Sequence, residues 1–462
     1  MNHQSPPLVE KILTDAKDID DSLEFLRYFE KYTHNPGLAE MVQQGLSNDR
    51  MTLSLSGNGL LEEDFKALAD TKPPKGLRVL NLDQTGLTSE GLKHLCLTKL
   101  LLGIENLSLV NNNLDDEGVF YLSKSPNISN LTSLNLSSNE MGDLGAKVLF
   151  MSAQMNRLEN LDLSYNRIQP LGIKSLKDSS LAASVKKMNL RDTCLGDGGV
   201  EQIGKHVRME RLEEIDLSDN SITGAGMELL CRGEPFPNLK RLTLDNNPIG
   251  DDGIYALAQS DGFCGLEELS LKNNGLTSDS AISLAESKTL QRLKSLDVNN
   301  NDIRAEGTVA LAQSANMRNL LSLDLGENKL GQEGARAIAE SEYFSRLNHL
   351  RLNNNSISDG GAAALACSKW LIHLNTLFLE NENWIHAEGA KALAESENLA
   401  SLRHLVLSLN MIGDEGAKYL AASTALSGLT QLNVAGNRLT PAGDTALQRS
   451  TTLVNMKTLE IV

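Results

Sequence analysis

The chain has little of what usually announces chemistry. Its 462 residues include only five cysteines, Cys96, Cys194, Cys231, Cys264 and Cys367, and none forms a C-x-x-C pair. An odd and scattered set argues against a disulfide framework and fits a reducing compartment. No apolar run approaches the roughly 18–20 residues needed to span a bilayer. The opening MNHQSPPLVEKILTDAKD lacks a basic segment followed by an apolar one, so no secretory signal is expected and the localisation reads as cytoplasmic. Positive charge is short as well: the net charge is −17 and the pI about 5.0. That balance repels phosphate backbones and anionic lipid, so neither nucleic acid nor a membrane surface is expected as partner. It permits a basic protein partner, and it also keeps an extended body in solution.

Catalytic signatures are missing too. No H-E-x-x-H, EF-hand loop or G-x-S-x-G occurs. The nearest approach to a phosphate loop runs from Gly199 to Lys205, but His206 stands where Ser or Thr should hold magnesium. The eight histidines are dispersed. His349 and His404 occupy equivalent positions two units apart with Thr376 between them, and they read as solvated imidazoles. No catalytic residue, metal site or cofactor is therefore expected.

What the chain has instead is a period. Asparagine stands at Asn58, Asn112, Asn139, Asn166, Asn220, Asn247, Asn274, Asn301, Asn328, Asn355, Asn383, Asn410 and Asn437, with Thr85 and Thr193 filling the gaps. Every step is 27 residues except one of 28, from Asn355 to Asn383. A fixed period in this range means stacked units, none of which can bury its apolar side alone. Within a unit, pairs such as Leu134/Leu136 and Leu323/Leu325 alternate with polar residues, the period-2 pattern of a strand with one buried face. A glycine follows six residues after the asparagine in all units but two, where Asp64 and Ser280 replace it, and an aliphatic four residues later falls on the same inward helix face. The glycine predicts close approach of the helix start to the strand layer. The asparagine, placed where the chain leaves the strand, predicts a stacked ladder bonding the turn's unpaired backbone groups.

The pattern L-x-x-L-x-L-x-x-N-x-L with G-x-x-x-L helices resembles the leucine-rich repeats of the ribonuclease-inhibitor-like subfamily, over residues 51–462 in fifteen units plus a closing strand. The resemblance implies an α/β solenoid, a curved horseshoe with a parallel β-sheet on the concave face and α-helices on the convex face. It also implies protein binding, since members bind ribonucleases, small GTPases, as the Ran GTPase-activating proteins do, or nucleotide-sensor ligands. The uniform 27-residue unit departs from the alternating, somewhat longer units of the vertebrate ribonuclease inhibitors.

Residues 1–50 lie outside the repeat. Apolar spacing predicts amphipathic helices over 8–13 and 22–29 and another over 38–46, read as an N-terminal helical cap over the first unit. At the other end, Leu459–Val462 matches the strand of a sixteenth unit, so its open edge could pair with another copy, giving a weak homodimer where the blunt short strand would leave a monomer.

Function is sought at the positions the fold leaves free. Asp162, Asp216, Asp245, Asp297 and Asp324 form an acidic stripe that would steer a basic partner; ordinary solvated strand residues are the plainer account. Phe378 stands at a position that is polar in nearly every other unit, and the extra residue falls beside it, in Glu380–Ile385, with Trp384 in the turn. Arg351, Glu380 and Tyr165 join these as candidate anchors. Trp384 is expected either to project as an anchor or to fold over the core. The expected function is a non-catalytic protein–protein interaction scaffold. Two other readings are a GTPase-activating type of regulator of a small GTPase, for which the acidic tail common in that group is missing, and a bacterial effector that binds a protein in the host cytosol.

Overall fold

The computed structural model describes Tyr28 and residues 36–461. They divide into two compact units, Met1–Asn220 and Ser221–Val462. The first holds seven described strands, from Thr52–Ser54 to Glu214–Asp216. Each pairs in parallel with the next in chain order. The second holds nine, from Arg241–Thr243 to Thr458–Glu460, paired the same way. Equivalent leucines stand opposite each other, as Leu134 and Leu161 do, and the single 28-residue step appears as Thr376 opposite His404. Every strand is only three residues long, but pairing continues into the turn, where Leu136 and Ser138 donate their N–H groups to Asp162 and Ser164.

The central residue of each strand faces the helices and is at most 2% exposed from Leu53 through Leu432. The flanking residues lie on the open face of the sheet. An α-helix of eight to eleven residues returns the chain in most repeats, as in Asp143–Phe150 and Gly331–Glu340. One repeat departs: Pro170–Ile173 is a single α turn, followed by the 3-10 helix Lys174–Asp178. None of the described helices is long and apolar enough to cross a membrane.

The asparagine ladder is present. Asn166 donates Nδ2 to Leu163 of its own repeat and to Leu136 of the one before, while its Oδ1 accepts from the N–H of Met141. Thr85 and Thr193 replace the amide with a hydroxyl that bonds Leu82 and Leu190 of their own repeats and lies 3.3 and 3.2 Å from Oδ1 of Asn112 and Asn220 in the next. Each buried turn carbonyl is thus paired, as backbone groups withdrawn from water must be.

Two further ladders run along the helix ends. A serine after the helix donates to a carbonyl 29 residues earlier, at the end of the preceding helix: Ser152 to Ser123, Ser287 to Ala258, Ser368 to Ala339. At the other end, an aspartate in one helix's first turns caps the next helix. Asp143 Oδ1 accepts from Gln169 and Gly172, and Asp359 Oδ1 from His386 and Gly389. Free N–H groups at a helix start need such acceptors. This contact revises the reason for the glycine. A Cβ at Gly389 would stand 2.6 Å from Asp359 Oδ1, so the close approach is to the neighbouring helix as well as to Ile385, rather than to the strand layer. The two exceptions fit: Asp64 turns its carboxylate back to cap Leu61, and Ser280 bonds Asp251.

The predicted helix near residues 38–46 spans Pro36–Gly45, with Leu38 and Val42 fully buried. Leu46 then bridges Leu53 in antiparallel fashion, closing the outer edge of the first strand. The helices expected over 8–29 lie outside the described residues, Tyr28 excepted.

Candidate functional site

The open face is built from strand positions on either side of the buried leucine. At the position between the paired leucines, the side chain has a local duty. Asp162, Asp216, Asp297 and Asp324 each accept the N–H of the residue two further on, at Ser164, Ser218, Asn299 and Gly326. Asn135 and Asn189 do the same at Ser137 and Arg191. This is the Asx turn, and it explains why short carboxylates and amides recur there. Asp245 is also engaged, accepting from Ser270 Oγ at 2.6 Å and from the N–H of Lys272. The aspartates of the predicted stripe therefore work first as structure.

In the Met1–Asn220 unit, Asp162 and Asp216 flank Asn189, whose Nδ2 reaches Asp162 Oδ2 at 3.2 Å. Tyr165 is 46% exposed. Arg191 lies over its ring at 5.9 Å and is ion-paired with Asp219 at 2.7 Å. Sequence reading picked Tyr165 but not the arginine and aspartate that complete the group.

The Ser221–Val462 unit gathers most of the other predicted residues. Asp297, Asp324, Arg351 and Phe378 stand in register on four successive strands. Lys272 Nζ lies 3.0 Å from Asp297 Oδ2, and Arg351 Nε 3.4 Å from Asp324 Oδ2. The Arg351 guanidinium sits 4.1 Å from the Phe378 ring centroid, a cation–π contact. Burial, reinforced by the Asp324 charge beside it, pushes the Asp297 carboxyl up to about 6. Burial likewise pushes Glu380 up, and its Oε2 has no hydrogen-bond partner. Asn353, in the equivalent position of the preceding strand, has an unpartnered Oδ1. The acids in this unit lie beneath basic side chains, so the free acidic stripe expected from sequence is not what the surface presents here.

Trp384 projects: it is 46% exposed and does not fold over the core. The extra residue is absorbed just before it, where Asn381 and Glu382 both adopt left-handed backbone. Trp384 itself has φ +56°, a region costly for a bulky L-residue. Cys194, Ser221, Lys329, Ser356 and Arg438 share that conformation at the equivalent position, whereas Glu140, Arg167 and Met411 do not, so it is one recurring form of the turn; only the choice of tryptophan is unusual. Trp370 lies on the helix side, half-buried beside Lys369 in a groove with Tyr343, as packing there predicts. His349 and His404 do share the open face, but buried Thr376 separates them. Among the described residues, no group of His, Cys, Asp and Glu is placed to hold a metal ion.

The sequence pattern described as Leucine Rich repeat matches eight separate stretches, residues 127–150, 155–177, 211–231, 237–258, 290–312, 316–339, 347–366 and 398–421. No curated protein matches. Among solved structures, TLR13 in complex with ssRNA13 shares 19% identity at a TM-score of 0.52, covering 84% of this chain and 53% of that one. This chain thus spans about half the length of that relative, and at such identity the likeness shows the fold alone. The internalin inlF from Listeria monocytogenes str. 4b F2365 also shares 19% identity, covering 93% of this chain and 95% of its own, at a TM-score of 0.43. With its repeated strand, asparagine turn and helix, and eight matched repeats, the chain is a leucine-rich repeat protein.

Proposed function

We propose that this chain is a non-catalytic scaffold, of the ribonuclease-inhibitor-like kind and cytoplasmic, that binds a protein partner on the concave, open face of its sheet and along the adjoining turns. Leucine-rich repeat proteins are generally protein-interaction scaffolds. The observation that supports a site here is Trp384. An indole left 46% exposed, in a backbone region that costs about 1 kcal/mol or more, is retained against the grain of folding. Aromatic and arginine side chains also dominate binding energy at interfaces. Phe378, Arg351 and Glu380 adjoin this turn in sequence and register, with Asp245, Asp297 and Asp324 on neighbouring strands. Tyr165, Asp162 and Asp216 form a separate candidate patch in the other unit. TLR13 is described in complex with RNA; here the net charge of −17 favours protein over a phosphate backbone. The Pro36–Gly45 helix serves as part of the N-terminal cap.

The test is affinity capture from the native cell followed by titration of the captured partner against variants. Trp384→Ala and Phe378→Ala should each weaken binding by about 2 kcal/mol with the fold retained. Trp384→Gly should match or exceed wild-type stability while losing binding, because glycine relieves the left-handed strain. Partner affinity unchanged in all three variants would remove this face from the site.

A further inference from the structure

We infer that Arg351, on the open face of the Ser221–Val462 unit, receives a carboxylate side chain of the protein partner. The inference rests on the scaffold reading above and names the chemistry of what that face holds.

The argument starts from depth. Asp297 and Asp324 are only 20% and 17% exposed, whereas the cations paired with them, Lys272 and Arg351, are 45% and 44% exposed. An approaching surface therefore meets an ammonium and a guanidinium, with the carboxylates beneath as counter-ions. Field strength falls with distance and with solvent, so the outer charges dominate contact at close range. The long-range steering expected of an acidic stripe is offset at this place.

Arg351 is also held ready. Asp324 approaches its Nε, and Phe378 lies 4.1 Å from the guanidinium, so two sides of the group are already in contact. The ion pair with Asp324 is made at Nε, and neither Nη1 nor Nη2 is hydrogen-bonded to a described residue, which leaves those donors of the fork open. That planar fork matches the two oxygens of a carboxylate, and a preorganised arginine loses less rotamer freedom on binding. Exposed His349 lies on the same strand and face, two residues before Arg351. Lys272 stands three strands away, about 14 Å at the usual strand spacing. Spaced single carboxylates suit this layout. A continuous polyanion would also meet the chain's overall negative charge.

The test uses labelled peptides of alternating Glu and Ser, with Gln–Ser and Lys–Ser counterparts, titrated onto the full chain by fluorescence anisotropy. The Glu–Ser peptide should bind at least about tenfold more tightly than the Gln–Ser peptide and lose at least about tenfold on Arg351→Gln. Arg351→Lys should fall between, since it keeps the charge but not the fork, and thermal melts check that each variant folds. Absence of Glu–Ser binding, preference for Lys–Ser, indifference to Arg351→Gln, or binding of single-stranded RNA through Arg351 would each overturn the inference. If these fail while Trp384→Ala still abolishes partner capture, the scaffold reading stands alone. If partner capture ignores Trp384 and Phe378 too, that reading fails with it.

Discussion

Asn274 buries its Oδ1 without a donor, and the N–H of Ile249 that should supply one is turned instead onto the Asn247 carbonyl at 2.8 Å. Elsewhere the equivalent N–H serves the next asparagine, as Ile222 serves Asn247 at 3.0 Å. The residue between Asn247 and Ile249 is Pro248, which cannot adopt the left-handed backbone of Ser221 or Ser356 and has no N–H of its own.

Restoring the rung should therefore stabilise the protein. A buried unpaired acceptor costs about 1–3 kcal/mol, and loss of proline returns about 0.4–1 kcal/mol of unfolded-state entropy. Pro248→Ser should give a net gain of about 1 kcal/mol, read as a raised urea midpoint. Amides near Asn247 and Asn274 should also exchange more slowly with deuterium; a lowered midpoint would contradict the account.

The cap between neighbouring helices gives a second expectation. Gly389→Ala would place a Cβ 2.6 Å from Asp359 Oδ1 and 2.8 Å from Ile385 Cγ2, costing about 1–3 kcal/mol. Asp359→Ala removes bonds to two N–H groups, at 2.7 and 3.0 Å, costing about 1–2 kcal/mol. Because both break one contact, the double variant should lose less than the sum, and chemical denaturation of all four proteins measures the difference.

The Asp297 carboxyl sets a third, through pH. Its folded pKa of about 6 lies above the unfolded value of about 3.9, so the folded state holds this proton more tightly. Its contribution to stability is full below about pH 4 and is lost as pH rises through about 6. Asp297→Asn should remove that loss, making the variant the more stable by on the order of 1–3 kcal/mol near pH 7 and bringing the two proteins together near pH 4. Only the difference between them is diagnostic. Asp251 and Asp414, held below the usual range, titrate in the opposite sense: they stabilise at neutral pH and lose that contribution in acid. A gap independent of pH would contradict the assignment.

Thiol chemistry separates the cysteines. Burial pushes Cys96 and Cys231 up to about 12, whereas Cys194, Cys264 and Cys367 are exposed. The thiolate is the reactive form, so alkylation of the native protein at mildly alkaline pH should add three groups quickly, with the remaining two following only on unfolding. Intact-mass spectrometry reads this directly. Rapid addition to all five would mean that the helix layer opens.

The architecture was legible because it repeats. The leucine alternation, the turn asparagine and the helix glycine recur with one spacing, and each has a local steric or hydrogen-bonding reason that fifteen copies make audible. The serine and aspartate ladders escaped notice although they share the period, because their partners lie 26 to 30 residues away in a neighbouring repeat. The candidate site was legible only in part. Phe378 and Trp384 announced themselves as large aromatics at positions that most other repeats fill with polar or small residues, but nothing in the string shows that Arg191 lies over Tyr165.

What the chain determined by itself is thus the strand, turn and helix of each repeat, since those follow from periodicity and from backbone groups that must be paired. Only the tertiary structure decided which charges reach solvent. Asp297 and Asp324 share a sign and a strand position with Asp162, yet Lys272 and Arg351, from other strands, cover them. Depth on the sheet face depends on side-chain length and on partners brought in by stacking, which no single repeat contains.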